Sequence, residues 1–206
     1  MDTGDQFLVK SPVVRAFIAS VRATMAHSRD PVVLVEQIRP AFAQLLAMEG
    51  WLPPEFTRPY RRGGMGGGIG QYLLFVAGDK SLSLSALVVP GRVSTPVHDH
   101  LAWGLVGLYR GDQQEEVYRL EGGDLEVGTA RLRRVEERQL HPGDFYSLLP
   151  PDGDIHRVKT TSRGPSVSIH LLGNDIGCVV RHRFDPASST VKPFKSGYSN
   201  AECQNV

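Results

Sequence analysis

Apolar positions recur at helical spacing only near the start of the chain: Val14, Phe17, Ile18 and Val21, then Val33, Val35, Ile38, Phe42 and Leu45. The spacing predicts two amphipathic helices between Ser11 and about Leu46, broken near Ser28 to Asp30. Asp30-Pro31 suits the start of the second helix. An aspartate there accepts hydrogen bonds from unpaired first-turn amides, and proline gives up an N–H that has no helical partner anyway. Prolines 53, 54 and 59 end this region, and the glycine run from Gly63 to Gly70, interrupted by Met65 and Ile69, predicts a flexible lid or entry loop.

From Gln71 onward the texture becomes that of short strands: QYLLFVA, SLSLSALVV, WGLVGLYRG, EEVYRLEG, LEVGTARLRRV, DFYSLLP, IHRVKTT, SVSIHLLG and CVVRHRF. Gly, Pro and Asp separate them. Many short strands at this spacing predict a sandwich or barrel rather than alternating β and α units. The fold class is therefore mainly β with a helical N-terminal extension. The stretch after Asp185 is polar, and its expected course is irregular, wrapping the surface or disordered.

Composition narrows the function by exclusion. A chain of 206 residues has room for one domain plus an extension. Lysine and arginine number 23 against 22 acidic residues, so there is no basic excess to hold a phosphate backbone and nucleic acid is not an expected partner. No stretch approaches the roughly 20 apolar residues of a membrane span, and the N-terminal MDTGDQFLVK lacks a signal-peptide core. Cys178 and Cys203 are too few for a disulfide framework and lack C-x-x-C spacing. Both are expected to be reduced, with Cys178 a small buried hydrophobe, in a cytoplasmic protein.

The chemistry-bearing feature is a set of histidines. In His98-Asp99-His100 two imidazoles lie two residues apart, and on an extended strand such residues share a face, so both converge on one ion while Asp99 points away. A tight turn, Pro151-Asp152-Gly153-Asp154, stands just ahead of a third histidine, His156. His27, His141 and His182 fit no ligand spacing, and GGMGGGIG lacks the lysine and Ser/Thr of a phosphate-binding loop. A lone H-x-H arises easily by chance. Imidazole also suits Zn, Cu, Fe and Ni alike.

Gly91, His98-x-His100 and Gly111 resemble the first cupin motif, and Pro151-x-Gly153-x-x-His156 resembles the second. Gly104 stands where the first motif usually has a glutamate. That departure, with the text TPVHDHLAWGLVGLYRG, resembles the thiol dioxygenase family of cysteine dioxygenase and 3-mercaptopropionate dioxygenase, from about Tyr60 to Asn200 and including KPFKSGYSN.

The resemblance implies a cupin barrel (a double-stranded β-helix, jelly-roll-like) over residues 60–185, with 1–59 as the helical extension packed on it and 186–206 as the irregular tail. It also implies Fe(II) on His98, His100 and His156, and a small carboxylated thiol and O2 as reactants. Ser168 and His170 match the first two members of a Ser-x-His-x-Tyr string whose side chains bond in series beside the iron, but Leu172 replaces the tyrosine. Leucine has no hydroxyl to donate or to cross-link, and Gly104 at the cross-link cysteine position excludes that link independently. Gln71 and Arg181 match substrate-contacting residues of the mercaptopropionate type, where a guanidinium pairs with a carboxylate. Blander readings stay open: His170 as a core histidine satisfied by Ser168, Gln71 as a polar strand residue, and Arg181 as a surface charge. For the whole protein, the alternatives are an iron cupin oxygenase with another substrate or product and a non-catalytic cupin that binds a metal or small ligand.

Overall fold

A computed structural model of the protein describes residues 4–60 and 64–203. The two helices are α1 (Pro12–His27) and α2 (Pro31–Ala47). The Asp30 side chain caps α2 by accepting from the Val32 amide at 2.9 Å, as its place before Pro31 predicts. Ahead of them lies β1 (Gln6–Phe7), and after them β2 (Gly70–Val76), β3 (Ser83–Val89), β4 (Val97–His98), β5 (Gly104–Arg110), β6 (Gln113–Gly122) and β7 (Arg131–Leu140). The remaining strands are β8 (Phe145–Leu148), β9 (Ile155–Thr160), β10 (Ser166–Leu172), β11 (Arg181–Asp185) and β12 (Thr190–Phe194).

Two antiparallel sheets form, ordered β1-β2-β3-β10-β5-β8 and β12-β11-β4-β9-β6-β7. At their centre the pairings are nested: β6 with β7, β5 with β8, β4 with β9 and β3 with β10. One long hairpin rolled so that its successive pairs alternate between facing sheets is a jelly roll, the architecture of cupins. The expected mainly β cupin fold with a helical N-terminal segment is therefore present.

The first sheet is buried on both faces, which explains its near-continuous apolar strands. From β10, Val167, Ile169 and Leu171 turn outward and join Leu84, Ala86 and Val88 of β3 beneath the helices, where Phe17, Ile38 and Phe42 complete the core. The alternate residues Ser166, Ser168, His170 and Leu172 face the barrel interior, as period two requires. Helix α2 lies so close that a Cβ on Gly107 would come within 2.9 Å of the Phe42 ring. Truncating the fully buried Phe42 to alanine would cost about 3–5 kcal/mol.

Three expectations need correction. The tail is not irregular throughout: residues 190–194 form β12, which pairs with β11, because Val191 of that polar stretch reaches an apolar cluster with Phe184 and Val97. Cys178 and Cys203 are not free thiols but a disulfide with a Cα–Cα distance of 5.3 Å. Residues 196–200 return along the barrel edge that carries Cys178, a convergence that a separation of 25 residues hides, and the cysteines therefore no longer speak for a reducing compartment. The run CVVRHRF is strand only from Arg181; Cys178 and Val179 lie in a turn, their amides bonding back to the Asp175 carbonyl. Of the glycine loop, Gly63 lies outside the described residues. No helix among the described residues is long and apolar enough to cross a membrane.

Candidate metal centre

Backbone register places the first two imidazoles. His98 on β4 and His156 on β9 are directly opposed partners in the antiparallel ladder. His100 follows two residues on, and the ring centroids stand 5.0 Å (His98 to His100), 4.8 Å (His98 to His156) and 4.8 Å (His100 to His156) apart. One ligand atom from each lies within 4.8 Å of the other two, and all three residues are buried.

The loop between the ligands is held from both sides. Asp99 points away, as the spacing predicts, and accepts from the His182 amide at 2.7 Å and its Nδ1 at 2.6 Å. The Asp154 carboxylate accepts from the amides of His100 (2.9 Å) and Leu101 (3.0 Å), which fixes Leu101 at φ +56°. Leucine rarely occupies that left-handed region, so the clamp offsets a local strain next to the site.

Each imidazole spends its Nδ1 on an acceptor: His98 on the Pro96 carbonyl (2.9 Å), His100 on the Asp154 carbonyl (3.4 Å) and His156 on Glu115 Oε1 (2.6 Å). A carbonyl or carboxylate accepts only, so Nδ1 carries the hydrogen and Nε2 keeps its lone pair. His156 Nε2 is buried with no protein partner. Burial, then the neighbouring His156 and Arg181, hold His98 and His100 well below the ordinary imidazole pKa. Imidazoles held neutral at His98 and His100, Nδ1 hydrogens directed at acceptors and an orphaned buried nitrogen on His156 fit a cation-binding site, and His98, His100 and His156 could bind a metal ion.

Among the described residues no carboxylate completes the set, and at Gly104 there is no space for one. Gly104 is paired with Leu172 across β5 and β10, and a Cβ on it would meet Leu172 Cδ2 at 2.4 Å and the Leu171 carbonyl oxygen at 2.5 Å. Neither glutamate nor cysteine has room there.

Next to the histidines is a small closed cavity. Its polar lining comes from His98, His100, His170, Gln71, Ser85 and Arg181. Met65, Leu87 and Ile176 close the apolar side. On β10, Ser168 Oγ lies 2.9 Å from His170 Nε2, and burial lowers the His170 pKa to about 3. The structure thus brings Ser168, His170, Gln71 and Arg181 to one place with the three histidines. Leu172 is not among the lining residues and packs with Val106, Leu108, Tyr146 and Ile176.

Arg181 is 1 % exposed, so the surface-charge reading does not hold. Its Nη1 donates to the Asp99 carbonyl at 2.6 Å and its Nη2 to Ser196 Oγ at 3.0 Å, while Nε has no partner. Burial lowers its pKa to about 10, against the opposing effects of Asp99 and Asp154, which leaves it cationic at neutral pH. No carboxylate lies within salt-bridge distance of it among the described residues, and an unpaired buried cation is costly. Gln71 Oε1 is likewise buried without a partner.

Behind His156 are residues that spacing alone does not single out: Glu115, Arg138 and Tyr146. A signal for Glu115 exists in the alternation of β6, where Gln113, Glu115 and Val117 all face inward. Neither Tyr146 nor Tyr118 lines the cavity. The first lies 3.2 Å from His156 Nδ1 and the second is bonded to Glu116.

No family model matches the chain. Among solved structures it is similar to an acetylacetone dioxygenase from Acinetobacter johnsonii (TM-score 0.43, 14% identity, covering 72% of this chain and 85% of that one). It is also similar to oxalate oxidase in complex with glycolate (TM-score 0.39, 14% identity, 53% of this chain and 52% of that one), so the match spans about half of that enzyme. A third is a cupin domain of an XRE-family transcriptional regulator from Enterobacter cloacae (TM-score 0.35, 15% identity, 50% and 94%).

Proposed function

We propose that the protein is a non-haem iron thiol dioxygenase, holding Fe(II) on His98, His100 and His156 and converting a small carboxylated thiol and O2 to the sulfinate and a proton. The observation that carries this reading is the convergence of three buried imidazoles, two of which line a small cavity together with a buried arginine that has no carboxylate at salt-bridge distance among the described residues. Iron bound on three neutral ligands would retain its positive charge and supply a Lewis-acidic, redox-active centre that favours thiolate over thiol.

Arg181 pairs with the substrate carboxylate through its guanidinium, the geometry that carboxylates fit best. Gln71 offers its free Oε1 to the remainder of the molecule. Ser168 fixes the ring of His170, and because burial keeps that imidazole neutral, it orients reactants by hydrogen bonding and does not act as an acid. The cavity's free volume of about 10 Å³ is the size of one water, so a thiol enters only as the lining residues give way.

Oxygen uptake by Fe(II)-loaded protein over a panel of 3-mercaptopropionate, cysteine, cysteamine and mercaptosuccinate, with mass spectrometry of products, tests the reading. A carboxylated thiol giving one sulfinate per O2 is the expected result. No uptake at full iron occupancy overturns it. Leu172 favours a second reading, an iron oxygenase with a different product, and an O2 to sulfinate ratio well above one would select that instead.

A further inference from the structure

We propose that Glu115 is a positioning residue of the metal centre, supplying from behind His156 the negative charge that a carboxylate ligand would otherwise bring. The inference rests on the metal reading above. Glu115 is fully buried on β6, beside the strand that carries His156. One carboxylate oxygen accepts the His156 Nδ1 hydrogen at 2.6 Å. The other stands 2.9 Å from Arg138 Nε on β7, an ion pair whose N–H is not aligned as a hydrogen bond. The Tyr146 hydroxyl lies 3.2 Å from the same His156 Nδ1, and the Arg138 guanidinium lies 4.9 Å over the Tyr146 ring.

The three imidazoles are consequently unequal. His98 gives its Nδ1 hydrogen to a backbone carbonyl, and His100 Nδ1 stands 3.4 Å from the Asp154 carbonyl and 3.3 Å from its carboxylate, whereas His156 alone gives its hydrogen to a carboxylate at the short distance of 2.6 Å. A carboxylate on the far nitrogen pulls the N–H proton toward itself and makes Nε2 a stronger donor to a cation. This matters here because Gly104 leaves no room for a carboxylate ligand. Arg138 only partly answers the charge, since it is 29% exposed and shares itself with Glu136 at 3.3 Å. Glu115 does not line the cavity, so it acts through His156 and not on substrate.

The test compares wild type, Glu115→Gln and Arg138→Met for Fe(II) affinity, measured anaerobically against a chromophoric chelator, alongside the Fe(III)/Fe(II) potential and the urea midpoint of each metal-free protein. Glutamine keeps the shape and the acceptor but not the charge. E115Q should weaken Fe(II) binding roughly 10- to 100-fold and raise the potential. R138M, at a partly exposed site, should bind Fe(II) several-fold more tightly, because the carboxylate then answers to the imidazole alone, and this arm stands even if E115Q does not fold. E115Q with wild-type affinity and potential overturns the proposal, as does R138M binding no tighter than wild type. A merely structural glutamate would shift the urea midpoint and leave affinity and potential unmoved. Wild-type protein that binds no Fe(II) at all would instead remove the metal reading itself.

Discussion

Replacing Gly104 by alanine adds one methyl group to a crowded point between β5 and β10. That carbon would sit 2.4 Å from Leu172 Cδ2 and 2.5 Å from the Leu171 carbonyl oxygen, against the 3.5–4.0 Å of ordinary contact. Relief requires about 1 Å of separation between β5 and β10, whose ladder runs through both residues. The leucine terminus can turn, but the carbonyl belongs to the backbone. Overpacking of this kind costs about 2–3 kcal/mol. Leu172→Ala alone should cost a similar 2–5 kcal/mol by opening a cavity. In the double variant the methyl fills part of that cavity, so the sum should fall short by about 1 kcal/mol, a coupling expected only of residues in contact. Urea denaturation of the four metal-free proteins measures the cycle. A G104A midpoint within about 0.5 kcal/mol of wild type, or strict additivity, would refute the claim that Leu172 and glycine at 104 exclude a carboxylate ligand together.

The disulfide closes a loop spanning 25 residues, for which chain entropy alone gives about 3.5 kcal/mol; reductant should lower the unfolding free energy by that much, and a urea midpoint indifferent to reductant with two titratable thiols would disprove the bridge. For His170, held at about 3 when folded against 6.5 when free, a depressed pKa gives stability that is whole above pH 6.5 and lost as pH falls. At pH 5 the loss is about 2 kcal/mol, with His98 and His100 adding in the same direction; metal-free protein should show this slope in unfolding experiments, and H170Q a shallower one. Arg181→Lys keeps the charge but loses the planar fork, so KM for a carboxylated thiol should rise about tenfold while cysteamine, without a carboxylate, is unaffected. Equal effects on both thiols would separate Arg181 from carboxylate recognition.

What could be read from the sequence were features with a local cause. Helices α1 and α2 follow from apolar spacing and from Asp30-Pro31, and the first-sheet strands follow from runs such as SVSIHLL. His98-x-His100 and His156 carry their geometry in spacing and turn. Features made by distant residues could not be read. The Cys178–Cys203 bridge and β12 depend on where residues 186–203 return, and no local pattern encodes that. For Arg181 a surface-charge reading stayed open beside the substrate-contact one because Val180 and Arg183 around it are exposed, yet it is buried, with Ser196 and Phe194 of the returning tail against its guanidinium. Glu115 shows the intermediate case: alternation turns one of its two adjacent glutamates inward, but only the pairing of β6 with β9 identifies the histidine behind which it lies.

The two halves of the site come from different layers of the architecture. All three candidate ligands sit on or beside β4 and β9, a nested pair of the jelly roll, so their spacing is fixed by ladder hydrogen bonds that the fold cannot lose. Gln71 and Arg181 instead come from β2 and β11, strands added outside the nested eight. Both are tied to the same C-terminal segment: Ser199 bonds the Gln71 backbone in both directions, at 2.7 and 3.1 Å, and Ser196 holds the Arg181 guanidinium. A segment that anchors both residues proposed for substrate recognition and no candidate ligand can change while the candidate metal centre keeps its geometry. Selectivity among thiols should then follow residues 196–200, and metal retention should follow Glu115 and the ladder that opposes His98 to His156.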